Sequence, residues 1–67
     1  MNSDLIKQLR TEKEINQKQM AILLNMPKTT YSSKEIGTRK FTVQEAIKLC
    51  DILECDIKDI FLIKKNS

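Results

Sequence analysis

The sequence predicts an all-α fold made of five short helices. Two observations support this prediction: apolar residues recur at helical spacing in four segments, and residue types that favour helix N-caps precede those segments. Because the chain has 67 residues with no internal repeat or linker-like stretch, we expect one domain over residues 1–67.

The first two predicted helices lie in the first 25 residues. The first ends near Lys13, with Ser3 or Asp4 as its N-cap. Its apolar residues are Leu5, Ile6 and Leu9. Asn16 is the expected N-cap of the second helix, which ends near Asn25. The apolar residues of the second helix are Met20, Ala21, Leu23 and Leu24.

The third predicted helix follows a short turn and is nearly all polar. Asn25 tolerates the left-handed conformation of a helix end, and Pro27 prevents continuation while being tolerated in a new first turn. This helix runs to Gly37, and its apolar residues are Tyr31 and Ile36 alone. Since a polar helix between apolar ones cannot be a core helix, it is expected to contact something outside the domain.

Two more helices complete the prediction. Thr42 is the expected N-cap of the fourth helix and Asp56 that of the fifth. The expected inward residues of the fourth helix are Val43, Ala46, Ile47, Leu49, Cys50 and Leu53, and those of the fifth are Ile57, Ile60 and Phe61. Leu62 and Ile63 fit three alternatives: closing the core, a short C-terminal strand, or contact with a partner chain.

Composition argues against several classes of protein. The longest apolar run, Met20–Leu24, has five residues, whereas a membrane span needs about 20. Residues 1–4 lack the features of a signal peptide, so a cytoplasmic location is expected. Without His, Cys50 and Cys55 cannot complete a zinc site and are expected to fill the core.

The same composition indicates a binding protein rather than an enzyme. The chain contains no His, so no Ser–His or Cys–His pair for nucleophilic catalysis can be assembled. The remaining possibility is a carboxylate pair, but the acidic residues lie mostly on solvated helix faces. We therefore expect no enzymatic activity, no cofactor, no metal and no small-molecule ligand.

Basic charge collects in one part of the chain. Residues 27–41 carry four cations against one acid, a net charge of +3, and residues 42–61 carry two cations against five acids, a net charge of −3. This asymmetry favours contact of one face with a polyanion such as nucleic acid. The alternative is that the four cations form an ordinary solvated surface.

The order of elements is typical of a helix-turn-helix, whose second helix lies in the major groove of DNA. Residues 6–61 resemble the phage-repressor, Cro-like (Xre) helix-turn-helix family of five-helix, lambda-repressor-like domains. The segments that carry the resemblance are IKQLR at 6–10, NQKQMAILL at 16–24, AIKLCDIL at 46–53 and DIKDIF at 56–61.

The resemblance implies which residues of the third helix contact DNA. Lys28, Thr29 and Ser33 match the family's base-reading positions, and Thr30 and Ser32 lie beside them. Lys28 can donate to guanine O6 or N7, and Thr29 can contact a thymine methyl group. The alternative for all of these residues is a solvated side chain.

Further positions match phosphate contacts and a structural pair. The resemblance implies that Gln17 binds a DNA phosphate and orients the reading helix, and that Arg39 and Lys40 grip the phosphate backbone. It also implies that Arg10 and Glu35 form an ion pair between the first helix and the end of the recognition helix. Glu35 is therefore interpreted as structural.

Some residues of the third helix depart from the family pattern. Pro27 replaces the usual Ser or Thr, so the helix lacks a side-chain N-cap. Lys34 stands where an apolar residue is common, and Ile36 where Asn is common. Either the helix end is shifted, or Lys34 covers the core with its stem and directs its ammonium to phosphate. Tyr31 is expected in the core with its hydroxyl directed outward, to a polar group or phosphate.

The favoured function is a sequence-specific regulator that binds double-stranded DNA. We expect a repressor that acts as a homodimer on a palindromic operator with half-sites roughly 34 Å apart. The apolar residues available for the dimer interface are Ile52, Ile57, Phe61 and Ile63. The alternative is a protein-binding module, an antitoxin or adaptor, which the apolar Ile22 and Ile36 favour.

Overall fold

The computed structural model describes residues 1–61, which fold into five helices. These are α1 (Ser3–Glu12), α2 (Gln17–Leu23), α3 (Lys28–Ile36), α4 (Val43–Leu53) and α5 (Ile57–Ile60). Residues 1–61 contain no strand, so the all-α, five-helix prediction is confirmed. The alternatives for Leu62 and Ile63, including the C-terminal strand, lie outside the described residues.

The N-terminal cap of α1 differs from the prediction. Asn2 is the N-cap, and its Oδ1 accepts a hydrogen bond from the Leu5 N–H at 3.0 Å. The predicted caps Ser3 and Asp4 are instead the first two residues of the helix. Asn2 also donates its N–H to the Ile60 carbonyl at 2.7 Å. This bond fixes the start of α1 against α5, a long-range contact that local propensity does not reveal.

Capping boxes fix the starts of α2 and α4 at the predicted residues. Asn16 Oδ1 accepts from the Gln19 N–H at 2.7 Å, and Gln19 Oε1 accepts from the Asn16 N–H at 2.8 Å. Thr42 and Glu45 make the same reciprocal pair at 3.1 and 2.9 Å. Each box satisfies two N–H groups that the first turn of a helix leaves without a partner.

Residues in the left-handed backbone conformation follow the ends of α2 and α3. Asn25 has φ of 58° in the turn between α2 and α3, and Gly37 has φ of 94° directly after α3. Pro27 is the N-cap of α3 and makes no side-chain capping bond, as its chemistry requires. α3 therefore ends at Ile36, and its end is not shifted.

The core lies between all five helices. Its buried members are Ile6, Met20, Ala21, Leu24, Tyr31, Leu49, Cys50, Leu53 and Ile60. Phe41 extends this core, with ring centroids 6.2 Å from Tyr31 and 5.8 Å from Phe61. Burial raises the pKa of Cys50 to about 12, so its thiol stays protonated at neutral pH and packs as an apolar group.

Two apolar residues that the sequence placed inward, Val43 and Ile47, are exposed, and the apolar Leu23 is exposed as well. Leu23 on α2 is exposed, and on α4 Val43 and Ile47 are 74% and 50% exposed. The buried residues of α4 are Ala46, Leu49, Cys50 and Leu53, which follow the spacing of a single helical face. Val43 and Ile47 lie at the edge of that face, where no other described helix covers them. None of the helices within residues 1–61 is long and apolar enough to cross a membrane.

Candidate nucleic-acid interface

The inner side of α3 is held by one buried carboxylate. Glu35 Oε1 accepts from Arg10 Nε at 2.8 Å and from the Tyr31 hydroxyl at 2.6 Å. Its Oε2 accepts from Arg10 Nη2 at 3.2 Å and from Gln17 Nε2 at 2.9 Å. The structure thus brings Arg10 and Glu35 together in a two-bond pair. These donors come from α1, α2 and α3, so a single carboxylate connects all three helices.

The electrostatics of this buried group favour the charged forms. Burial tends to raise the pKa of Glu35, but hydrogen bonds from Arg10, Tyr31 and Gln17 outweigh burial and hold that pKa below its ordinary value. The hydrogen bond to Glu35 raises the pKa of Arg10 despite burial. Arg10 Nη1 also donates to the Ile15 carbonyl at 2.8 Å. The buried ion pair therefore has its polar atoms satisfied, as a buried charge requires.

Gln17 is bonded to α3 at both ends of its amide. Its Nε2 donates to Glu35, and its Oε1 accepts from the Ser32 hydroxyl at 2.6 Å. The amide nitrogen carries two N–H groups, and only one of them is used in this bond. Gln17 is predicted to bind phosphate and to orient α3. Its side chain is itself held in one orientation by these two hydrogen bonds to α3.

Two side chains of α3 point to partners that differ from those expected. The Tyr31 hydroxyl is directed inward to Glu35, not outward to phosphate. The Lys34 side chain is mostly buried, and its Nζ donates to Glu45 Oε1 at 2.5 Å, not to the phosphate that was expected. Glu45 is the capping residue at the start of α4, so this ion pair connects the two ends of the loop between α3 and α4.

The outward side of α3 carries the predicted base-reading residues. Lys28 and Thr29 are exposed, and Thr30 and Ser33 are partly exposed. Ser33 follows Thr29 by four residues, so both side chains lie on the same face of the helix. The Ser33 hydroxyl donates to the Thr29 carbonyl at 3.1 Å. This face combines hydroxyl groups with a cation at the N-terminal end of the helix.

The loop after α3 is folded back onto the last turn of the helix. The Ser33 carbonyl accepts from the Thr38 N–H at 2.9 Å, the Thr38 hydroxyl at 3.0 Å and the Arg39 N–H at 3.2 Å. Arg39 and Lys40 are exposed and have no salt bridge with any side chain of residues 1–61. Their charges are therefore available next to the outward face of α3.

The sequence pattern did not indicate two residues that shape this interface. The Thr38 hydroxyl donates to the Ser33 carbonyl and so fixes the loop against α3. The Glu45 carboxylate accepts a hydrogen bond from Lys34. The spacing of Glu45 three residues after Thr42 is a capping-box signature, which is a signal that can be found in the sequence. Within residues 1–61 no group of three or more His, Cys, Asp or Glu side chains is arranged to hold a metal ion.

The comparisons with known proteins agree with this geometry. A family model described as "Helix-turn-helix" matches residues 6–60, which is most of the chain. A search of the curated proteins finds no match. The matched region includes α2, the turn, α3 and the basic loop. The chain belongs to the phage-repressor, Cro-like (Xre) helix-turn-helix family, a family of regulators that bind double-stranded DNA.

Proposed function

We propose that this protein is a sequence-specific transcriptional repressor that binds a palindromic operator as a homodimer. One observation carries the proposal. Glu35 accepts hydrogen bonds from Arg10 and Gln17, which hold the inner side of α3 against α1 and α2. The outward side of α3 presents hydroxyl groups, and exposed cations follow it in the loop. An α-helix fits the major groove, and a helix held rigidly on its inner side presents its outer side chains in a defined register.

Phosphate contacts would supply most of the affinity. Lys28, Arg39 and Lys40 are exposed at the two ends of α3, and none of them has a salt-bridge partner in residues 1–61. Each phosphate neutralised by such a cation releases counterions, so binding weakens as salt rises. Gln17 adds an amide N–H at the start of α2. Residues 42–61 carry a net negative charge, which DNA phosphates repel. We therefore expect the surface formed by these residues to face away from the DNA.

Base contacts would supply the specificity. Lys28 reaches from the first turn of α3 and can donate to guanine O6 or N7. Thr29 carries a methyl group suited to thymine, and Ser33 lies one turn further on the same face. Thr30 and Ser32 flank this face, with the Ser32 hydroxyl engaged by Gln17. Repression requires only that the bound protein occupy its operator and exclude other proteins from it.

A twofold dimer matches a palindromic site with half-sites roughly 34 Å apart. Val43 and Ile47 lie one turn apart on α4 and supply an exposed apolar face for this contact. Ile57 and Phe61 are half-buried against the core, so only the exposed parts of their side chains can contribute to a dimer interface. Because the proposed target is chromosomal DNA, we also propose a cytoplasmic location.

Selection of bound duplexes from a random pool tests the proposal. We expect a palindromic consensus, with an affinity that falls steeply with salt. Lys28→Ala should relax base preference at one position of each half-site. Arg39→Ala should weaken binding to all sequences alike and reduce the salt slope by about one. Full operator affinity in both variants would overturn the assignment of the reading face.

A protein-binding module, such as an antitoxin or adaptor, is the second candidate. Ile22 is 68% exposed on α2, and it lines a shallow apolar groove together with Ile15 and Leu23. Such a surface is typical of a protein contact. An apolar protein contact should respond little to salt, so the salt series on duplex binding separates the two candidates.

A further inference from the structure

Ile36 is an isolated apolar residue on the outward face of the recognition helix. It is the last residue of α3 and is 66% exposed. It follows Thr29 by seven residues and Ser33 by three, so the three side chains form one stripe along the helix. Seven residues make almost two full turns, and Ile36 therefore projects within about 20° of the direction of Thr29.

The residues that flank Ile36 on the outward face of α3 and in the following loop are polar or cationic. Its neighbours along the stripe are hydroxyl residues, and the loop carrying Arg39 folds back onto the Ser33 carbonyl directly beyond it. Ile36 therefore lies between two groups of proposed DNA contacts. The exposed apolar residues Ile22 and Leu23 differ from it, because they lie together in a groove on α2. This placement favours DNA over a protein partner as the occupant of the Ile36 surface.

We propose that Ile36 determines specificity by packing against the C5-methyl group of a thymine in the major groove. This inference rests on the proposed function. The thymine methyl is the apolar group that a base edge presents in that groove, and Ile36 has no atom that can form a hydrogen bond with a base. The rise from Thr29 to Ile36 is about 10 Å, so this thymine is a different base from the one that Thr29 contacts.

Uracil substitution measures this contact directly, since deoxyuridine lacks the methyl group and keeps the base pair. Each thymine of the selected duplex is replaced in turn, and Kd is measured by fluorescence anisotropy at fixed salt. For the unmodified protein we expect one substitution, at a thymine other than the Thr29 site, to weaken binding about fourfold, the effect of one apolar carbon.

Variants assign that effect to Ile36. Ile36→Ala should bind the thymine and uracil duplexes equally at that position while keeping its response at the Thr29 position. Ile22→Ala, a change of equal size at an equally exposed position on α2, should keep the full uracil profile. Because Ile36 is exposed, its truncation should leave the melting temperature unchanged, which separates the effect from misfolding.

Three results would overturn the inference. These are an unaltered uracil profile in Ile36→Ala, an operator in which no thymine outside the Thr29 site responds to uracil substitution, and loss of that response in Ile22→Ala as well as in Ile36→Ala. Failure of the proposed function looks different, because the unmodified protein would then show no salt-dependent duplex binding at all. A protein that binds its operator but responds identically with and without Ile36 contradicts this inference alone.

Discussion

Substitution of Glu35 by Ala tests whether the buried carboxylate holds the recognition helix. The change removes the acceptor of four hydrogen bonds and leaves the Arg10 guanidinium buried without its counter-charge. Breaking a buried ion pair on one side costs about 3–5 kcal/mol. A domain of this length has a free energy of unfolding on the order of 3–10 kcal/mol, so the loss is between a third and all of it.

The expected loss can be measured by thermal and urea unfolding followed by circular dichroism. At about 4–8 °C per kcal/mol for a domain of this size, the melting temperature should fall by at least about 12 °C. The urea midpoint should fall with an unchanged slope if the native state keeps its compactness. A melting temperature within about 3 °C of that of the unmodified protein would refute the role assigned to the Glu35 bonds.

An exposed ion pair in the same chain supplies the matched control. Lys13 Nζ lies 2.9 Å from Glu54 Oε2, and the Glu54 side chain is largely exposed. Surface pairs contribute about 0–1 kcal/mol, so Glu54→Gln should lower the melting temperature by at most about 8 °C. Equal losses in Glu35→Ala and Glu54→Gln would mean that burial does not determine the contribution of the pair.

The protonation of Glu35 and the ion pair between Lys34 and Glu45 give two further predictions. Because the folded-state pKa of Glu35 is below its ordinary value, its contribution to stability is present above the ordinary pKa and is lost as pH falls through the folded value. Unfolding measured from pH 6 down to pH 2 should therefore show a smaller acid-induced loss for Glu35→Gln than for the unmodified protein; parallel curves would contradict this. Lys34→Met should lower the free energy of unfolding by about 1.5–3 kcal/mol but leave the salt slope of DNA binding unchanged, because its ammonium is bound to Glu45. A reduced slope would show that Lys34 contacts phosphate.

Local signals made much of the fold predictable. The caps at Asn16, Thr42 and Asp56, and the helix ends at Asn25 and Gly37, depend on residues within three or four positions of each other. Hydrogen bonds at this range are determined by the sequence of one turn, so the pattern of residue types is enough to place them. This is why the order and approximate bounds of the helices could be predicted.

Burial depends on elements that are distant in the sequence, and here the prediction was less complete. Val43 and Ile47 match the apolar pattern of α4, but no neighbouring helix among the described residues covers that edge. Asn2 caps α1 in place of Ser3, and its N–H donates to the carbonyl of Ile60, which is distant in the sequence. Neither contact follows from helical periodicity alone.

The polar character of α3 has two sources, and the local pattern of residues indicated only one of them, since the Arg10–Glu35 pair was expected from the family resemblance alone. Polar residues on a helix predict an outside partner, and Thr29 and Ser33 fit that interpretation. Ser32 and Glu35 are instead turned toward Gln17 and the buried guanidinium. Side-chain pairs of this kind join residues that are 15 or more positions apart, so their partners cannot be read from the local pattern.

The two polar sides of α3 depend on each other. Apolar packing fixes the distance between helices but tolerates small rotations about the helix axis, whereas hydrogen bonds are directional and weaken steeply when misaligned. The bonds at Glu35 and Ser32 therefore fix the rotation of α3 relative to α1 and α2. Since Thr29 and Ser33 project from the opposite side, the same bonds determine where those side chains point. A buried polar network of limited net stability is thus suited to set the direction of a surface that must match another molecule.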